Sequence, residues 1–358
     1  MTSSTTIPDP AAPVWDERPP PRRRDALVAL ADAQLSFLLE HAPFFRTRED
    51  VYRIGGIDRI EDLEEIPIQG ADTVRRADPN ALVPDPLGVA YSHGTGGTTG
   101  PSLDVLDTAE SWATSVSRMA NVVGDLEGTI AFNTYNGTHI TSPLLNDVVR
   151  ACGGTVRNRA LTDSPADMIG RMRDHGCTLL IAPGSTPSQD KGGSVEDLLA
   201  ADGGEALLDE LDRVWYSSTH IDEEIRALLQ EYGIVVESFF GNTETRAIGY
   251  APDEHPHVPH VLEGQYLVNG VDRSGAVRRT GEDLRLVVSA IASSADGEHS
   301  PHRGTAFFRS PTGDAVDEIT PPGKCPHSEA CPFTTRTLVG IERVERIREK
   351  ELSGCQVL

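Results

Sequence analysis

The chain has 358 residues, with 32 Lys and Arg against 55 Asp and Glu, a net charge of −23, and five cysteines. So acidic a chain lacks the positive footprint that nucleic acid or an anionic membrane surface requires, and no stretch reaches the apolar length of a membrane span. Its length suits one large domain or two fused subdomains, and an odd cysteine count without an apolar leader implies a reducing cytoplasm rather than a disulfide framework.

Residues 1–21 are rich in Ser, Thr, Pro and Asp, have little to bury, and are expected to be disordered. Arg22-Arg23-Arg24 lead into a helix, since Leu27, Leu30, Ala31, Leu35, Leu38 and Leu39 recur at helical spacing before Pro43. From residue 129 strand and helix alternate. Strands are predicted at 129–134, from 155, at 177–182, 214–217 and 234–240. Helices are predicted at 140–152, from Ser164-Pro165 to Gly176, and from a capping box of Thr219 and Asp222 to Gly233. This alternation predicts an α/β fold with a mostly parallel sheet flanked by helices. From about residue 262 the pattern shifts to short β segments with Gly and Asp turns, a smaller β-rich subdomain. The expected division is an α/β core at 22–261, the β-rich subdomain at 262–345 and a tail at 346–358.

Thr95-Gly96-Gly97-Thr98-Thr99-Gly100-Pro101 concentrates glycines and hydroxyls in one loop. Such a loop suits phosphate oxygens, because glycine lets the backbone approach closely and offer its N–H groups. No Lys-Ser/Thr pair follows the last glycine, as a Walker A loop needs, and the spacing is not that of a dinucleotide fingerprint. Phe240-Gly241-Asn242-Thr243-Glu244 follows a predicted strand, where ligands bind in such sheets, although Gly-Asn alone also marks an ordinary turn. Thr312-Gly313-Asp314 is by itself any turn. His139 is either a structural histidine or a polar handle in an apolar pocket. Cys325, His327 and Cys331 have the soft chemistry of zinc ligands, but no fourth ligand is evident, and the same residues also make a plain loop with reduced thiols.

Taken together and in this order, the motifs resemble those of the adenylate-forming superfamily, in particular its phenylacetate–CoA ligase branch, over roughly residues 26–345. His41-Ala42-Pro43-Phe44-Phe45-Arg46 and Leu63-Glu64-Glu65-Ile66-Pro67 resemble two N-terminal segments of that branch. The stretches 135–143 and 151–156 resemble its substrate-side region more loosely. The resemblance implies an enzyme that joins ATP to a carboxylic acid, releases pyrophosphate and passes the acyl group to a thiol. Thr95, Gly96, Gly97, Thr98, Thr99 and Gly100 would hold the β- and γ-phosphates, with Pro101 where many members carry Lys. Phe240, Gly241 and Asn242 would line the adenine, Thr243 would bond the α-phosphate and Glu244 would hold Mg²⁺. Asp314 would accept the ribose hydroxyls, and Arg336 joins the nucleotide-binding set. His139 is counted with Thr243 and Glu244 on the catalytic side.

Superfamily members continue past a hinge into a C-terminal domain bearing a catalytic Lys. Leu338-Val339-Gly340-Ile341 reaches about that hinge, and Lys350 is a poor substitute for the Lys. The expectation is a chain without that domain, with a partner subunit supplying its function or the half-reaction running without it. The acceptor is CoA, a carrier-protein thiol or the chain's own Cys355, the last by likeness to the acyl-protein synthetase of bacterial luminescence. The competing reading is a degenerate adenylation domain that binds nucleotide as a non-catalytic interaction module.

Overall fold

The computed structural model describes residues 20–52, 55–70, 73–74, 76–94, 103–137, 139–185, 193–253, 258–295, 298–321, 323–326 and 335–343. The fold is mixed α/β. Its contacts divide the chain into two compact units, one built on Val116–Pro259 and the other on Ala11–Ser115 with His260–Leu358.

In the first unit the strands lie in the order Thr155–Asn158, Ile130–Asn133, Leu179–Pro183, Arg213–Ser217, Val235–Asn242, Arg246–Ala251. Every neighbouring pair is parallel except the last. Leu179–Pro183 is buried at every position, the apolar run that a central parallel strand needs when helices cover both faces. Phe132, Leu180, Val214 and Val236 from the strands meet Met168, Met172, Leu198 and Leu229 from the helices in one core.

The helices start where their polar residues can satisfy exposed backbone donors. Ser164 caps Pro165–Asp174 in a reciprocal box with Asp167, and Pro165 stands at a position whose missing N–H has no partner to lose. The helix after Arg213–Ser217 differs from its expected start. Asp222 caps Glu223–Glu231 by accepting from Glu224 N, whereas the Thr219 hydroxyl bonds the backbone of Ser185 on the neighbouring strand's loop. Thr219 thus ties two loops and leaves the cap to the residue next to the helix.

In the second unit the helix Pro20–His41 buries Leu27, Leu30, Ala31, Leu35 and Leu38, and Pro43 opens the short helix Pro43–Arg46 with Phe44 and Phe45 buried. Residues 1–19, and with them most of the segment expected to be disordered, lie outside the described residues. The β-rich part is an antiparallel sheet of Tyr266–Val271, Thr280–Ala290 and Ser310–Ile319. Two of its strands are 11 and 10 residues long, so this part is less fragmented than its Gly and Asp content implies. Among the described residues no helix is long and apolar enough to cross a membrane.

Candidate active site

The carboxyl ends of the parallel strands in the first unit are bound to one another by side chains. The Tyr135 hydroxyl donates to the Ser217 carbonyl at 2.7 Å and accepts from Ser217 N at 3.0 Å, and it lies 3.2 Å from the Ala182 carbonyl. Ser217 Oγ in turn donates to the Phe239 carbonyl at 2.8 Å. Three consecutive strands are therefore fixed at the edge where ligands bind in sheets of this kind. Tyr135 is itself held from below, its N–H on Asn133 Oδ1 and the Asn133 amide on Asn146 Oδ1. Nothing in the sequence singles out the Tyr135 hydroxyl, because its partners come from strands far along the chain.

His139 lies half-buried on this edge, its ring 5.6 Å from that of Tyr135 in a stacked arrangement. Its Nδ1 accepts from Thr141 N at 3.3 Å, which satisfies one of the unpaired donors at the start of helix Thr141–Ala151. That bond places the proton of the neutral ring on Nε2.

Phe240 to Asn242 belong to the strand itself, and only Thr243 and Glu244 lie in the turn after it. Strand Val235–Asn242 runs through Gly241 and Asn242, turns at Thr243-Glu244-Thr245 and returns as Arg246–Ala251. Asn242 builds the turn: its Oδ1 accepts from Thr245 N at 2.9 Å and from Thr245 Oγ1 at 2.7 Å. Arg246 leaves the turn with φ of 59°, in the left-handed region. Gly241 is required for a different reason than a turn. A Cβ there would run into the Arg246 carbonyl oxygen across the hairpin.

Strand alternation turns Phe239 inward against Trp215 and Tyr250 and leaves Phe240 half-buried on the opposite face. Beneath the hairpin Glu237 is 6% exposed and accepts from Trp215 Nε1 at 2.8 Å and from the Tyr250 hydroxyl, with Arg213 Nε at 3.4 Å. A buried carboxylate satisfied in this way locks three strands in register below the turn. At the tip, Thr243 and Glu244 are half-buried, and among the described residues neither side chain has a hydrogen-bond or ion-pair partner.

In the second unit Thr312-Gly313-Asp314 is a bulge in strand Ser310–Ile319 rather than a connecting turn. The register with Thr280–Ala290 jumps from Pro311 against Val287 to Ala315 against Arg285, and Gly313 takes φ of 86°. Asp314 is 4% exposed, and its N–H donates to Thr312 Oγ1. Arg309 just before it is structural. Its guanidinium donates to the carbonyls of Leu63, Ile66 and Gly275, and burial pulls its pKa down. The segment 63–67 and the one that leads into Thr312-Gly313-Asp314 thus meet through one arginine. Arg336 faces inward, with Nε on Glu263 Oε1 at 2.6 Å and Nη1 on the Val268 carbonyl at 2.8 Å.

The loop from Thr95 to Pro101 lies outside the described residues, as do His327, Cys331 and Cys355. Its flanks are described: Val89–Gly94 and Asp104–Thr108 pair antiparallel, with Gly94 opposite Asp104. His93 stacks on Trp112 with ring centres 5.2 Å apart. Among the described residues no three or more His, Cys, Asp or Glu side chains gather as a metal centre would require. Cys152 and Cys177 are buried, and burial pushes both thiols up to about 11, so they are protonated and unreactive at neutral pH.

No family model matches the chain. No curated protein matches it either. Solved structures do. The chain is similar to 2-hydroxyisobutyryl-CoA ligase in complex with 2-HIB-AMP and CoA in the thioesterification state, with a TM-score of 0.74 at 14% identity over 92% of this chain and 70% of that one. An open conformation of that ligase with the same two ligands gives 0.72 at 14% identity, covering 91% of this chain and 75% of that one. Its postadenylation state with 2-HIB-AMP gives 0.72 at 13% identity, covering 91% and 68%. The chain has the fold of this ligase.

Proposed function

We propose that this chain activates a carboxylic acid with ATP as an acyl-adenylate and passes the acyl group to a thiol, with CoA as the acceptor. The observation that carries this reading is the Thr243-Glu244 tip. An Asn242-built turn presents a hydroxyl and a carboxylate without partners among the described residues, at a strand end of a fold shared with a ligase solved with 2-HIB-AMP. A hard carboxylate oxygen of this kind fits Mg²⁺, which when bound offsets charge on the phosphoryl oxygens. Glu244 would hold the ion and Thr243 would bond the α-phosphate. The half-buried face of Phe240 suits stacking on adenine. Thr95 to Gly100 would take the outer phosphates and Asp314 the ribose hydroxyls. His139 would be a polar contact to the acid, while Arg336 acts through its buried pair with Glu263. We place the reaction in a reducing cytoplasm, on the cysteine usage.

The test is the product pattern. With ATP, Mg²⁺, CoA and a panel of small carboxylic acids, at least one acid should drive release of AMP and pyrophosphate. ATP binding with no acid-dependent AMP across the panel would favour a nucleotide-binding module instead.

Asp314→Ala should weaken ATP binding by about 1–3 kcal/mol, the scale of lost charge-assisted hydrogen bonds. Unchanged affinity by calorimetry would remove Asp314 from the nucleotide site.

The second acceptor, Cys355, has its own signature. Attack of its thiolate on the acyl carbon would expel AMP and leave a thioester on the chain. Mass spectrometry should then find an acyl adduct that hydroxylamine removes and Cys355→Ser lacks. Acyl transfer to CoA at the parent rate in Cys355→Ser, with no adduct on the parent chain, would leave the acceptor outside the chain.

A further inference from the structure

Strand Arg213–Ser217 ends in a turn that a residue with a side chain rarely makes. Thr219 N donates to the Ser217 carbonyl at 2.8 Å across Ser218, whose φ is 70°. A turn closed in this way, with positive φ at its centre, is the rare and strained γ form. Ser218 is exposed and lacks the conformational freedom of glycine, so the turn has to be held from outside. Before it, the Tyr135 hydroxyl bonds both backbone groups of Ser217. After it, the Thr219 hydroxyl donates to the Ser185 carbonyl and accepts from Ser185 N, each at 3.0 Å. Strained residues that their surroundings over-determine in this manner cluster at working sites.

The restraint reaches two sides of the candidate site. On one side the Tyr135 ring stacks on His139, the residue placed against the acid. On the other, the Tyr135 hydroxyl fixes Ser217, and Ser217 Oγ holds the Phe239 carbonyl in the strand that leads to Thr243 and Glu244. We propose, resting on the adenylation reading, that Tyr135 is a positioning residue for acyl-adenylate formation: acting through Ser217, its hydroxyl keeps the Thr243–Glu244 hairpin in register with His139. The carboxylate reacts with the α-phosphate only from a narrow range of positions, and a misplacement of about 1 Å costs about 100-fold in rate. The Tyr135 hydroxyl is engaged with Ser217, so its contribution falls on alignment. Its loss lowers turnover more than nucleotide affinity.

The test uses the full chain. Tyr135→Phe keeps the ring and removes the hydroxyl. Its maximal rate of acid-dependent pyrophosphate exchange should fall about tenfold or more, with the KM for ATP within about twofold of the parent. Ser217→Ala cuts the link to Phe239 and should fall likewise, and Ser217→Thr, which keeps a hydroxyl, should recover most of the rate. The double variant Tyr135→Phe with Ser217→Ala should be no slower than the worse single one, because both cut the same path. A purely structural Tyr135 would lower the thermal midpoint and leave turnover, measured well below that midpoint, at the parent value. Hydrogen exchange read by mass spectrometry gives a readout that needs no activity. In Tyr135→Phe it should quicken across 238–245, while strand Ile130–Asn133 stays as protected as in the parent. If Tyr135→Phe does not fold by circular dichroism, Ser217→Ala, the smaller change, decides in both measurements. Parent turnover in the folded variant, losses that add in the double variant, or a hairpin that exchanges as in the parent overturns the proposal. A parent chain with no acid-dependent exchange sinks the adenylation reading instead, and the clamp on the hairpin is then upheld or overturned by hydrogen exchange alone.

Discussion

Glu244→Gln is expected to abolish acid-dependent pyrophosphate exchange, with a loss on the order of 100-fold or more and an unchanged thermal midpoint. The amide keeps the size of the side chain and removes its charge, so it is a poor ligand for a hard cation. Glu244 is half-buried at the hairpin tip and, among the described residues, has no ion pair to lose, so the fold should not register the change. Activity and stability therefore separate in this variant. Near-parent exchange would take Glu244 out of the mechanism, and a large drop in stability would make its role structural.

Gly241→Ala should fail in the opposite way, through the fold. The added methyl would meet the backbone carbonyl of Arg246, an atom that cannot rotate aside, so the hairpin has to open or the strand pair has to shift. We expect a loss of about 2–4 kcal/mol of stability, together with activity, because the same hairpin carries Thr243 and Glu244. Gly170 is the control. It lies inside helix Pro165–Asp174, and a Cβ there meets nothing within 4 Å, so Gly170→Ala should add about 0.5–1 kcal/mol. Equal melting temperatures for Gly241→Ala and the parent would show that the hairpin accommodates a side chain at that position.

The parts of the fold legible in sequence are those whose cause is local. Leu179–Pro183 reads as a strand because a run of buried apolar residues ends at Pro183-Gly184. Helix Pro165–Asp174 reads from Ser164-Pro165 because a cap acts within one turn. Thr219 misleads for the same reason. Its hydroxyl satisfies Ser185, 34 residues away, and a partner at that distance leaves no local trace. The antiparallel return of Arg246–Ala251 is likewise hidden, since six residues buried at all but one position do not declare their direction. It changes the meaning of Gly241 from a turn residue to one pressed against a neighbouring backbone.

The candidate site divides along the same line. The residues of the Phe240–Glu244 motif are recognisable from their order, and the fold presents Thr243 and Glu244 at a strand-end turn. What holds that turn in place is not recognisable, because Tyr135, Ser217 and Glu237 act through partners on other strands. Arg309 is similar: its guanidinium is spent on three backbone carbonyls from distant parts of the chain. Its backbone N–H donates to Ser289 Oγ on strand Thr280–Ala290, again a distant partner.

The measurement that bears most directly on adenylation is exchange of labelled pyrophosphate into ATP over a panel of carboxylic acids, without CoA. The account predicts exchange that depends on one class of acid and on Mg²⁺, and that Glu244→Gln eliminates. ATP bound at the parent affinity with no acid-dependent exchange from any member of the panel would contradict it.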